Sequence, residues 1–114
     1  MGMKRYDIEV YRTADDVAPF QVWIENLKDR TVKTKLTARL IRAQGGNLGD
    51  WKEIKGAKGL FELREHSGPG YRVFFSIVGQ TIILLLAGST KQDQDRTIAK
   101  AKDYLADYLL RKQP

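Results

Sequence analysis

The 114-residue chain has no cysteine, three prolines and a single histidine, His66. Without thiols there is no disulfide framework, no thiolate nucleophile and no zinc site that needs sulfur ligands. One histidine excludes a multi-histidine metal centre and a histidine pair for acid–base chemistry. The acidic residues are scattered and form no cluster suited to a two-metal site, so no metal or other cofactor is expected. Long apolar runs are also missing. The longest, Ile82–Ala87, is six residues, against the roughly 20 that a membrane-spanning helix requires. The segment Met1–Val10 alternates charged and apolar residues, unlike a signal peptide. A cytoplasmic protein with no membrane partner is expected.

Hydrophobic residues make up 42% and charged residues 30% of the chain, which fits one folded domain spanning residues 1–114. Lys and Arg number 20 against 14 Asp and Glu, a net charge of +6, and such a balance favours a polyanionic partner. Lys28–Lys58 holds nine basic and three acidic residues, which equals the whole net charge. Lys35, Arg39 and Arg42 share one helical stripe. Lys52, Lys55 and Lys58 repeat at every third position on a glycine-bearing connector. A solvated helix face accounts for the first group as well as a phosphate-tracking surface does; the second favours phosphate contacts.

Hydrophobic periodicity sets out the elements. Tyr6, Ile8 and Val10 alternate with Arg5, Asp7 and Glu9, the pattern of a half-buried strand. Phe20, Trp23, Ile24 and Leu27 mark a short helix with Pro19 in its first turn and a cap expected within Thr13–Asp16. Val32, Leu36, Leu40 and Ala43 stripe a second helix, Thr31–Gln44, which Gly45–Gly46 ends. Leu60–Glu65 and Tyr71–Val78 are read as strands around the turn Ser67–Gly70. Thr81–Ala87, apolar at every position from Ile82, fits a central strand covered on both faces. A last helix starts near Asp93. The expected fold is a small α+β domain: a mostly antiparallel four-stranded sheet, two N-terminal helices packed on one face, and a C-terminal helix.

A turn centred on Gly68 places Arg64 opposite Arg72 and Glu62 opposite Phe74. Two facing arginines repel each other unless an anion or a carboxylate neutralises them. Glu62, Glu65 or a one-residue slip in register would remove the need for an anion. If the chain is a nuclease, what remains is metal-free cleavage at the RNA 2′-hydroxyl, with arginine supplying charge stabilisation and Glu53 or Glu62 available as base. His66, beside Ser67, is read as a turn residue rather than a catalyst.

The ordered residues Gly46-Asn47-Leu48-Gly49-Asp50, Glu62-Leu63-Arg64, Gly68-Pro69-Gly70-Tyr71-Arg72-Val73-Phe74-Phe75, Leu84-Leu85-Leu86 and Gly88-Ser89-Thr90-Lys91 resemble the RelE/ParE toxin superfamily. The resemblance is greatest to its HigB-like branch, the addiction module killer proteins. It implies the toxin of a bacterial type II toxin–antitoxin module that cuts mRNA on the ribosome without metal. Its implied partners are the ribosome, mRNA and a helix-turn-helix, HigA-like antitoxin. It also implies Arg72, Arg64 and Lys91 as catalytic residues; on that reading the basic residues Lys35, Arg39, Arg42, Lys52, Lys55 and Lys58, picked out by charge, are expected to hold RNA. The chain departs from RelE in having Leu60 and Glu62 where RelE has strand lysines. A ParE-like, gyrase-binding toxin that cuts nothing, and an inactive relative that only binds its antitoxin, are the alternatives.

Overall fold

A computed structural model describes residues 4–112; Met1–Met3, Gln113 and Pro114, part of the expected domain, lie outside the described residues. In chain order the elements are β1 (Asp7–Val10), α1 (Pro19–Glu25), α2 (Arg30–Gln44), β2 (Trp51–Glu53), β3 (Phe61–Glu65), β4 (Tyr71–Val78), β5 (Ile82–Thr90), a 3-10 turn (Lys91–Asp93) and α3 (Gln94–Lys112). The strands form one sheet in the order β1-β5-β4-β3-β2. β1 runs parallel to β5, and the other three pairings are antiparallel.

The sheet therefore has five strands rather than four. The added strand, β2, is three residues long, and all three are exposed. Trp51, Lys52 and Glu53 pair with Leu63, Glu62 and Phe61. Its existence depends on the edge that β3 offers rather than on a buried face, so the glycine-punctuated sequence does not announce it.

The helices also occupy both faces, not one. Phe20 and Ile24 of α1 and Val32, Leu36 and Ala43 of α2 pack with Leu63, Val73, Phe75, Ile83 and Leu85. On the opposite face Ala101 and Tyr108 of α3 pack with Leu60, Phe74, Leu84, Leu86 and Ala87. A strand buried on both faces cannot alternate polar and apolar residues, which is why Ile82–Ala87 is continuously apolar. The pairing changes from Phe74↔Ala87 to Phe75↔Leu85, so Leu86 bulges out of register. The bulge turns Leu86 and Ala87 to the same face, under α3.

Local chemistry explains most helix ends. Asp29 Oδ1 accepts from the Thr31 and Val32 amides at 3.0 and 3.2 Å and caps α2. Gly46, at φ 98°, ends the same helix in a conformation that favours glycine. The cap expected for α1 within Thr13–Asp16 is not used. Ala18 precedes the helix without a side-chain cap, while Thr13 Oγ1 instead accepts from the Val17 amide at 3.2 Å, closing a separate turn. Pro19 stands at the first helical position, where its missing N–H costs nothing. At the other end of the molecule Tyr11 donates to Asp107 Oδ2 at 2.6 Å and stacks on Tyr104 at 5.1 Å, tying β1 to α3.

Candidate functional site at the hairpin end of the sheet

The β3–β4 hairpin has the register that the turn chemistry predicts: Arg64 faces Arg72, and Glu62 faces Phe74. Alternation puts Glu62, Arg64 and Arg72 on the face that α3 covers. Each arginine has a carboxylate partner. Arg72 Nε lies 3.6 Å from Glu62 Oε2 with both side chains more than nine-tenths buried. Arg64 Nη2 donates to Asp50 Oδ1 at 2.9 Å in a half-exposed setting. Neither Nε–H has a hydrogen-bond acceptor among the described residues.

Lys91 joins this group through the backbone. Its amide donates to the Gly70 carbonyl at 3.0 Å. A Cβ built on Gly70 would stand 3.3 Å from Lys91 Cβ and 3.9 Å from Arg72 Nη1, so lysine stem and guanidinium share the space over that glycine. Gly70 sits at φ 84°, a conformation that side-chain-bearing residues rarely adopt. The three residues expected to be catalytic thus lie at one end of the sheet, with Arg72 buried and Lys91 exposed.

The expected RNA-binding residues divide. Arg42, Lys52, Lys55 and Lys58 are exposed. Lys35 is exposed but donates to Ser67 Oγ at 2.9 Å. Arg39 is turned inward: Nη1 donates to the Arg64 carbonyl, and Nη2 to the Leu48 and Asp50 carbonyls at 3.3 and 3.2 Å. Its side chain is only 12% exposed and lies 3.8 Å from Glu65. Burial lowers its pKa, opposed by the negative charges of Glu65 and Asp50. Gly49 makes this possible, since a Cβ there would stand 2.9 Å from Arg39 Nη2. Arg39 is a strut that fastens α2 to the β2–β3 edge, so the Lys35–Arg39–Arg42 stripe is not a free cationic surface.

Sequence reasoning did not find Asp50. One of its oxygens accepts from Arg64, and the other lies 2.7 Å from His66 Nε2. The His66 hydrogen bond, with Arg64 adding to it, holds the Asp50 carboxyl below its ordinary 3.8 against the opposing effect of burial. Glu65 accepts from the Ser67 hydroxyl at 2.6 Å, and that bond holds its carboxyl below the ordinary 4.5. Groups with depressed folded-state pKa stabilise the fold above their unfolded values and lose that contribution as pH falls through the folded ones. The urea midpoint of the chain should therefore fall as pH drops below about 4.5, and Asp50→Asn with Glu65→Gln should flatten that fall. A pH profile unchanged by the double substitution would remove these two carboxylates from acid stability.

No group of three or more His, Cys, Asp or Glu among the described residues is placed to hold a metal ion. No helix among the described residues is long and apolar enough to cross a membrane.

No protein-family model matches the chain. It is 41% identical over 83 residues to an uncharacterized protein of Haemophilus influenzae, a match covering 73% of this chain and 82% of that one. Among solved structures, a double arginine-to-alanine mutant of the E. coli toxin RelE in its free state superposes with a TM-score of 0.51. That match covers 99% of this chain and 100% of the other at 13% identity, and so speaks to fold alone. The chain adopts a RelE-like fold, and by its sequence it belongs to the same family as the uncharacterized Haemophilus influenzae protein.

Proposed function

We propose that this chain is the toxin of a type II toxin–antitoxin module in the HigB-like branch, acting in the cytoplasm as a ribosome-dependent mRNA endoribonuclease that needs no metal. The observation that carries the reading is the pair of facing arginines on one sheet face, each with an Nε–H that has no acceptor among the described residues. Planar guanidinium forks suit a phosphodiester that gains charge in the transition state. Lys91 stands beside them as the exposed cation, and Lys52, Lys55, Lys58 and Arg42 supply further contacts to RNA phosphates.

A groove of about 340 Å³ between α3 and the β2–β3 connector supports the second partner, a HigA-like antitoxin. Its floor includes Ala57, Leu60, Leu105 and Leu109, and Lys58 and Lys102 also line it. Leu110, 68% exposed on the same helix, extends the apolar surface.

The second reading is a ParE-like toxin that binds gyrase and cleaves nothing. Burial of Arg72 against Glu62 favours it, because a phosphate does not reach that guanidinium without movement of what covers it. Induced expression separates the two. Rapid loss of mRNA with new 5′ ends inside reading frames supports cleavage; a DNA-damage response with intact mRNA supports gyrase inhibition and overturns the ribonuclease reading.

A further inference from the structure

We infer that His66, held in place by Asp50, is the group that accepts the 2′-hydroxyl proton in RNA cleavage, an inference that rests on the ribonuclease reading above. His66 is exposed, with its side chain 70% accessible, and its Nε2 lies 2.7 Å from Asp50 Oδ2. A carboxylate on one ring nitrogen fixes the tautomer with the proton on that nitrogen and leaves Nδ1 as the atom that exchanges protons with a substrate. Asp50, which also accepts from Arg64 Nη2, serves as acceptor in this contact.

Position supports the role. The second Asp50 oxygen holds Arg64 at 2.9 Å, so a single carboxylate links the imidazole to a partly exposed guanidinium. Arg64 in turn faces Arg72 across the hairpin. A phosphate bound by Arg64 is thereby placed beside the imidazole that the same carboxylate holds. The charged groups around the ring are Asp50 and Arg64, with Glu65 and Lys35 joined through the neighbouring Ser67.

In the step assigned to it, Nδ1 takes the proton of the ribose 2′-hydroxyl and the 2′-oxygen forms a bond to phosphorus. The bond from phosphorus to the 5′-oxygen breaks, and that oxygen takes a proton from water. The products are a 2′,3′-cyclic phosphate and a 5′-hydroxyl, and the imidazolium returns its proton to water. Asp50 is a positioning residue; it touches no reacting atom.

The test uses the purified full-length chain with bacterial ribosomes programmed with a short end-labelled message. His66→Ala should slow cleavage by about a hundredfold or more, and free imidazole should restore much of it. His66→Gln keeps a hydrogen bond to Asp50 but accepts no proton, so it should be as slow as the alanine variant. The acidic limb of the wild-type pH–rate profile should vanish in both, while Asp50→Asn should lower kcat and leave the limb. Full activity of His66→Gln, or an alanine variant that imidazole does not rescue, would overturn the assignment with the ribonuclease reading intact. A wild-type chain that cleaves no message would overturn both.

Discussion

Replacing Arg72 by alanine is expected to cost about 3–5 kcal/mol of stability, the range for removing one member of a buried ion pair. The sequence alone suggests the opposite, because a strand residue beside a turn is expected to be exposed and cheap to truncate. In the structure the Arg72 side chain is 6% and the Glu62 side chain 8% exposed, 3.6 Å apart. Truncation would leave the Glu62 carboxylate buried without its cation, and loss of toxicity in that variant would report unfolding as readily as loss of chemistry. The informative comparison is Arg72→Gln combined with Glu62→Gln, which removes both charges and leaves an amide able to hydrogen-bond at each position. Urea denaturation should show most of the lost stability restored in the double variant. RNA cleavage should stay about a hundredfold or more down, as for removal of a transition-state donor. A fully active double variant would exclude Arg72 from catalysis. An alanine variant as stable as wild type would mean that the pair contributes nothing to the fold.

The second large effect is expected at Gly88. A Cβ at this position of β5 would stand 2.1 Å from an atom of the Trp23 ring, with two further ring atoms at 2.4 Å. The indole packs near Phe20 at a centroid distance of 6.0 Å and against the α1–α2 cluster, and with Gly88 it also lines a surface cavity of about 180 Å³ into which it can shift only by giving up those contacts. Gly88→Val should therefore destabilise the chain by about 1–3 kcal/mol, the range for overpacking. Trp23→Leu should be milder alone and should relieve part of the valine penalty in the double variant, a coupling that a double-mutant cycle measures. Strict additivity would show that Trp23 is not what excludes the side chain.

Much of the fold was legible because it rests on patterns that the chain carries locally. The glycine-flanked turn after Glu65 set a register in which Arg64 meets Arg72, and a single-residue slip would have turned Leu63 away from the α1–α2 core. The apolar run Ile82–Ala87 carried the second covered face, although the helices were expected on one side only. What could not be read depends on groups that periodicity does not describe. β2 is held by an edge of β3 and buries none of its three residues. Arg39 faces backbone carbonyls, which are the same in every sequence, so nothing distinguishes it from Lys35 or Arg42 on the same stripe. Asp50 reaches His66 across 16 positions, and only the pairing of β2 with β3 brings them together. The cationic cluster was expected, and so was Glu62 as a carboxylate able to neutralise it, which it does at Arg72; Asp50 was not.

The place of β1 has a consequence for how the chain comes into being. Its only strand neighbour among the described residues is β5, with Asp7 beside Ile82 and Val10 beside Leu85. The first of the described strands thus pairs with the last, and contacts between such distant positions slow folding. A nascent chain that has not yet released β5 has no complete sheet on which α1 and α2 can settle. Any property that needs the complete sheet is therefore absent from the nascent chain until β5 has emerged.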